Sequence, residues 1–250
     1  MAQNDLKDGK AMSLTDLQGR NIYIGWYTGG SAYAGLTKPE EFPISMQQDR
    51  EAHPEWKMIV SEYGAEGKYG YHVEDEARFD HSETYQLRFH KAYWQFIEKT
   101  DWIAGSTLWN MFDFTSFAKI GNIPHINQKG VMTYHRKPKT LYYYYQSQWT
   151  DAPMVYLVRH TFKYGYGNLA EKQPIEVYSN ADRVELFVDG QSQGVLTAQE
   201  EWIWQVQVSP GYHQLKAVAI KDGEVVTDQL KVHFTNGKRK SKGKQGSDSD

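Results

Sequence analysis

The stretch Met58-Ile-Val-Ser-Glu-Tyr-Gly-Ala-Glu-Gly67 runs from an apolar segment straight into a carboxylate, an aromatic ring and two glycines. Lys57 to Ser61 has the composition of a short strand buried on both faces, the kind found in parallel sheets. Two further runs share that character, Asn21-Ile-Tyr-Ile-Gly-Trp26 before it and Trp102-Ile-Ala-Gly-Ser-Thr-Leu-Trp109 after it. Between the second and third, Asp80 to Lys99 reads as a helix. Its Tyr85, Phe89, Tyr93, Phe96 and Ile97 recur at spacings of three and four, and Asp80 with Glu83 offers a capped start. Met46 to His53 reads as a shorter helix. Strand, helix, strand in this order is the crossover unit of an α/β fold.

Glu62 at the end of a buried strand needs a reason. In a barrel of parallel strands, the C-terminal strand ends carry the chemistry, and a carboxylate placed there is held by a rigid element facing a shared pocket. Tyr23 and Tyr27 lie at or just past the preceding strand, and Trp109 ends the following one, so all four converge on one rim. A tyrosine hydroxyl can donate to an ionised carboxylate, and an indole face gives a sugar ring an apolar platform.

A second pattern begins after Tyr142-Tyr-Tyr-Tyr-Gln-Ser-Gln-Trp149 and the Asp151-Ala-Pro153 break. The apolar period drops to two in Val184, Leu186, Val188, in Trp202, Trp204, Val206, Val208, and in Leu215, Ala217, Ala219. Asp189-Gly190 and Asp222-Gly223 stand between alternating runs as hairpin turns. The expected division is an α/β part over 1–150, an all-β sandwich over 151–236, and a disordered Lys-rich tail over 237–250.

Composition narrows the function. The net charge of −3, with basic residues clustered only near the end, leaves no footprint for nucleic acid or an anionic membrane. Aromatic residues make up 14% of the chain, which suits contact with the apolar faces of polar ligands and equally a tyrosine-rich sheet. Having no cysteine excludes disulfides, thiolate metal sites and a cysteine nucleophile. No apolar run reaches membrane-helix length and the first twenty residues are polar, so the chain reads as soluble without a signal peptide, cytoplasmic or periplasmic if bacterial. The nine histidines show no metal-binding spacing.

Four segments in order carry a resemblance: Asn-Ile-Tyr-Ile-Gly-Trp-Tyr at 21–27, Ser-Glu-Tyr-Gly-Ala at 61–65, Leu-Trp-Asn-Met-Phe-Asp-Phe at 108–114, and Asn-Gln-Lys-Gly-Val-Met-Thr at 127–133 with Arg136-Lys-Pro-Lys139. Together they resemble the C-terminal half of the catalytic (β/α)8 TIM barrel of glycoside hydrolase family 2, of the β-galactosidase and β-glucuronidase kind. Val177 to Gly190 resembles the immunoglobulin-like domain that follows this barrel in many such enzymes. The resemblance implies that Glu62 is the nucleophile of a retaining mechanism, that Tyr23 holds it, and that Tyr27 and Trp109 line the sugar pocket. Asn127 and Lys129 match an Asn-x-Lys pair that contacts the sugar carboxylate in β-glucuronidases. Mg2+ or Na+ enters by resemblance only, with no ligand set to place.

The departure from the family pattern is as informative. Retaining hydrolysis needs a second carboxylic acid about 5–5.5 Å from the nucleophile. In this family it is the Glu of an Asn-Glu pair, and this chain contains no Asn-Glu dipeptide. Glu66, Glu74 and Glu76 follow Glu62 in the chain, but the resemblance gives them no such role. The expected activity is therefore that of a retaining exo-β-glycosidase acting on β-galactosides, with β-glucuronides the nearest alternative, completed by an N-terminal half in cis or in trans. A non-catalytic carbohydrate-binding or complementing subunit, and a sandwich module trailing an inactive barrel remnant, are the other readings.

Overall fold

A computed structural model describes residues 15–27, 35–118, 123–197 and 201–237. The chain divides into two units, Met1–Tyr143 and Tyr144–Asp250. In the first, strands β1 (Gln18–Asn21), β2 (Met58–Tyr63) and β3 (Ile103–Leu108) form a parallel sheet in the order β1-β2-β3. Parallel neighbours need long crossovers. Helix α1 (Phe42–Ala52) lies in the first and helix α2 (Glu83–Glu98) in the second.

Helix α2 starts later than its sequence suggests. Ser82 is the cap, its Oγ accepting the Tyr85 N–H at 3.0 Å. Asp80 instead accepts from the N–H groups of Ala77 and Ser82 in the turn before the helix.

The first strand is also displaced from its expected place at Asn21 to Trp26. Its strand ends at Asn21, Ile22 still donates its N–H to the Glu62 carbonyl at 2.8 Å, and Tyr23 to Trp26 turn away although Ile22 and Ile24 are fully buried. Two hydroxyls from α2 explain how: Tyr93 donates to the Ile24 carbonyl at 2.9 Å and Tyr85 donates to that of Gly25. Side chains thus satisfy buried carbonyls that a longer strand would have paired. Gly25 has a positive φ of 89° and sits against Pro39, which leaves no room for a Cβ.

Nor are the three strands buried on both faces, as their composition suggested. Gly19, Asn21, Ala104 and Thr107 are exposed, because three strands form an open sheet rather than a closed barrel.

Strand β2 carries one residue more than β1, and against β3, which has its own extra residue between Ile103 and Gly105, it carries one more after Val60. Arg20 and Asn21 of β1 face Val60 and Glu62, and Ser106 and Leu108 of β3 face Val60 and Tyr63. This is a bulge between Val60 and Tyr63. Met58 and Val60 are buried, and strict alternation would make Glu62 the next member of that row. The extra residue puts Tyr63 there instead, fully buried and stacked on Tyr93 of α2 at 5.4 Å between ring centroids. Beyond β3, the short strands β4 (Phe114–Thr115) and β5 (Ile126–Asn127) pair antiparallel.

Helix α3 (Thr140–Trp149) contains the tyrosine run and crosses the boundary into the second unit. Eight strands then follow: β6 (Val155–Leu157), β7 (Tyr164–Gly167), β8 (Gln173–Ser179), β9 (Arg183–Val188), β10 (Gln191–Thr197), β11 (Trp202–Val206), β12 (Gly211–Lys221) and β13 (Glu224–Asn236). They form a five-stranded sheet, β10-β9-β12-β13-β7, and a three-stranded one, β11-β8-β6. The alternating residues of β9, β11 and β12 singled out in the sequence are all buried in one core with Ile175, Val177, Val232 and Phe234. The indoles in that core are satisfied, Trp202 donating to the Ser179 carbonyl and Trp204 to that of Gly194, both at 3.1 Å. Both Asp-Gly turns have positive φ at each residue, the geometry that joins twisted hairpin strands. Apart from Gly237, the expected tail lies outside the described residues.

His90 gives the first unit a pH signature. Its ring on α2 is fully buried near Tyr63 and Phe89, and burial, aided by the Lys139 ammonium, lowers its pKa to about 3. The unfolded imidazole titrates near about 6.5. The unfolded state therefore takes up the proton first, and stability declines as pH falls from about 6.5 toward about 3, by up to ~1.4 kcal/mol per pH unit. His90→Phe is expected to flatten the pH dependence of the urea midpoint over roughly pH 4–6.5 by one proton. An unchanged slope would assign that dependence to other groups.

Candidate active site

Glu62 leaves the bulge half-buried, and the hydroxyl of Tyr23, in the turn after β1, donates to its Oε2 at 2.7 Å. Among the described residues, Oε1 has no hydrogen-bond partner. A carboxylate held by one oxygen is oriented while the other stays available as a nucleophile. Ser61, the neighbour of Glu62 in the bulge, ties β2 to both flanking strands. Its hydroxyl donates to Asn21 Oδ1 at 2.7 Å, and its carbonyl accepts from the Thr107 hydroxyl.

Tyr27 continues the turn. Its ring centroid lies 5.2 Å from that of Tyr23, and its hydroxyl bonds the ammonium of Lys129. Lys129 is 1% exposed. Its Nζ lies 4.3 Å from the ring centroid of Tyr27, 5.3 Å from that of Tyr23, and 3.9 Å from Glu66 Oε1. Asn127 at the end of β5 is buried, and its Oδ1 accepts the Lys129 N–H at 3.0 Å, fixing the turn between them. Four of the six candidates thus form a continuous contact path, from Glu62 through Tyr23 and Tyr27 to Lys129, with Asn127 shaping its far end.

Trp109 enters from the end of β3. Its N–H donates to the Tyr63 carbonyl at 2.9 Å, its peptide bond to Asn110 is cis, and its indole is 36% exposed, edge-on to Phe114. A Cβ on Gly64 would collide with the Trp109 carbonyl, so the close approach of these two strand ends requires glycine.

Beneath the path lies an ionic layer whose roles were not legible in the sequence. The ammonium of Lys139, 0% exposed, donates to Asp113 Oδ1 at 2.7 Å, the Gly67 carbonyl at 2.6 Å and the Gln128 carbonyl at 2.9 Å. Asp113 Oδ1 also accepts the Gly130 N–H at 2.9 Å, and Glu66 Oε2 accepts that of Gln128 at 3.1 Å. One cation thereby pins the loop after β2 and the turn carrying Asn127 and Lys129. Burial raises the pKa of Asp113 against the opposing pull of Lys139, and burial lowers that of Lys139 against the pull of Asp113. Glu83 completes the layer, accepting the N–H groups of Gly70 and Thr140. Burial would raise its pKa, but His72 and these two N–H groups outweigh burial and lower it. Asp113 and Lys139 both fall inside the quoted motif strings, yet only their spatial pairing reveals a function.

The structure engages the carboxylates that follow Glu62 elsewhere. Glu66 is buried against Gln128 and Lys129, and Glu76 pairs with Arg88. Among the described residues, no three His, Asp or Glu side chains gather as a metal site. No described helix is long and apolar enough to cross a membrane.

Parallel strands joined by helical crossovers thus present a tyrosine-held carboxylate and a half-exposed indole at adjacent strand ends. Residues 7–153 match the family model described as glycosyl hydrolases family 2, TIM barrel domain, and residues 170–227 match a domain of unknown function, DUF4982. The chain belongs to glycosyl hydrolase family 2. It is 30% identical over 240 residues to a β-glucuronidase of Bacteroides fragilis, covering 91% of this chain and 33% of that protein. It is 31% identical over 147 residues to the β-galactosidase BoGH2A of Bacteroides ovatus, covering 56% of this chain and 16% of that one. The crystal structure of a Bacteroides uniformis β-glucuronidase superposes with a TM-score of 0.79 at 32% identity, over 93% of this chain and 28% of that chain. The chain thus spans about a third of the length of the relatives it matches.

Removing one partner of a buried ion pair leaves an uncompensated charge, at a cost of about 3–5 kcal/mol. Lys139→Met is expected to destabilise the first unit by that amount, and adding Asp113→Asn to recover at least half of it. Urea denaturation of wild type, single and double variants measures this. Additive losses would show that the two side chains do not act as a pair.

Proposed function

We propose that this chain supplies the nucleophile half of a retaining exo-β-glycosidase acting on terminal β-glucuronides. Glu62 attacks the anomeric carbon, the bond to the aglycone oxygen breaks, and water later cleaves the glycosyl ester to release the sugar. Tyr23 orients the carboxylate, Trp109 supplies an apolar platform for the sugar ring, and Asn127 and Lys129 meet its carboxylate. The acid that protonates the leaving oxygen comes from another segment, in the same polypeptide or a partner chain.

The observation that carries the choice of sugar is the buried ammonium of Lys129, joined to the nucleophile through two adjacent tyrosines. This ammonium, set among aromatic rings with Glu66 Oε1 at 3.9 Å, offers a cation to an anionic ligand, and a uronic acid brings a carboxylate to meet it. A β-galactoside, the first expectation from the sequence, is the second reading. The match to a β-galactosidase at 31% identity favours it.

A dinitrophenyl glycoside separates the two, because its leaving group departs without acid assistance. The purified chain is expected to release a burst of dinitrophenolate from the β-glucuronide, and Glu62→Gln to abolish it. Hydrogen bonds to charged groups contribute about 1.5–3 kcal/mol. Lys129→Gln should therefore slow the reaction of the glucuronide by ~10- to 100-fold and that of the β-galactoside by less than about threefold. Equal losses on both substrates would transfer the assignment to β-galactosides. No release from either, by a folded chain, would contradict a nucleophile that works in this unit.

A further inference from the structure

The second unit contains an open cleft of about 630 Å3, lined by Leu169, Val188, Gln193, Gln207, Ser209 and Asn236 among others. That volume lies within the roughly 300–1,000 Å3 of small-molecule sites. The side chains around it are held by the protein at one end only. Gln207 Nε2 donates to the Leu169 carbonyl at 2.7 Å, and Gln193 Nε2 to the Gln191 carbonyl at 3.1 Å. Asn236 Oδ1 accepts the Leu169 N–H at 3.0 Å. Each bond fixes one end of an amide. The Oε1 atoms of both glutamines and the Nδ2 of Asn236 have no hydrogen-bond partner among the described residues.

The charged groups of the cleft are already committed. Asp189 Oδ1 accepts the Gln214 N–H at 2.8 Å, and Oδ2 lies 2.6 Å from His213 Nδ1. His213 Nε2 in turn lies 2.9 Å from the Ser209 carbonyl. The imidazole thereby clasps the β9–β10 turn to the segment before β12, and its contact with the Ser209 carbonyl makes Nε2 a donor, which keeps it from serving as a base toward the nearby Ser209 hydroxyl. What remains for a ligand is a set of oriented, uncharged acceptors and donors beside the exposed apolar side chains of Ala170 and Pro210.

We propose that this cleft binds a neutral saccharide, at a site separate from Glu62. Sugar hydroxyls both donate and accept, which matches fixed amide oxygens beside an amide N–H, and the C–H groups of a pyranose suit contact with Ala170 and Pro210. An anionic ligand would meet the Asp189 carboxylate in the lining and no lysine or arginine there. The proposal is independent of the sugar assigned to the barrel.

The test is an NMR titration of the 15N-labelled full chain with β-1,4-galactotetraose, xylotetraose and, as the anionic probe, glucuronate. At least one neutral tetrasaccharide is expected to shift the side-chain amide signals of Gln193, Gln207 and Asn236, saturating in the millimolar range of about −4 kcal/mol. Gln207→Ala and Gln193→Ala, both at the rim of the sandwich, should each weaken that binding at least about tenfold, whereas Tyr212→Ala, outside the cleft, leaves it unchanged. Silence of these signals to both neutral sugars at about 20 mM, response to glucuronate alone, or binding unchanged in both glutamine variants would each overturn the assignment.

Discussion

One additional residue in β2, between Val60 and Tyr63, decides where Glu62 points. Strict alternation along this sequence would carry the carboxylate into the buried row with Met58 and Val60, against the aromatic side of α2. With the extra residue, Tyr63 fills that position against Tyr93, and Glu62 emerges beside the turn after β1. The bulge is held from both sides, by Ser61 to Asn21 and by Thr107 to the Ser61 carbonyl. It also fixes the strand end at which Gly64 and the Trp109 carbonyl meet. The positions of Glu62, Trp109 and the core beneath them follow from this irregularity.

Two sets of buried polar side chains convert that geometry into a site. The α2 hydroxyls of Tyr85 and Tyr93 cap the carbonyls of the turn that bears Tyr23 and Tyr27, so the tyrosines touching Glu62 and Lys129 inherit their position from the helix behind the sheet. Lys139 does the same for the other wall, collecting Asp113 and two carbonyls from separate loops on one ammonium. Such a cation costs desolvation and is retained where each of its donors is used. Loops at barrel strand ends need this support, because no ladder reaches them.

Much of this was legible in the chain. The alternation in Val184, Leu186, Val188 and in Leu215, Ala217, Ala219 reports a sandwich core, because period-two burial leaves a direct trace in the sequence. The Asp-Gly turns required positive φ and have it. The motif strings placed Glu62, Tyr23, Tyr27 and Lys129 in one group before any coordinates did. The bulge left no such trace, since Met-Ile-Val-Ser-Glu-Tyr reads the same with or without an unpaired residue. The first strand was misplaced because Ile22 and Ile24 look like ladder residues, while the carbonyls of Ile24 and Gly25 are in fact satisfied by tyrosines 69 and 60 positions away. Lys139 and Asp113 resemble ordinary surface charges, and only three-dimensional pairing distinguishes them.

The proposed role of Glu62 rests on its place outside the buried row of β2, beside Tyr23. The most direct measurement is intact-mass and peptide-mapped labelling by dinitrophenyl 2-deoxy-2-fluoro-β-glucuronide, which traps a glycosyl-enzyme, on the wild-type chain and on Glu62→Gln, each shown to be folded by circular dichroism. The predicted result is a single fluoroglucuronosyl adduct on Glu62 in the wild type and none in the variant. An adduct on another carboxylate, or equal labelling of wild type and variant, would contradict it.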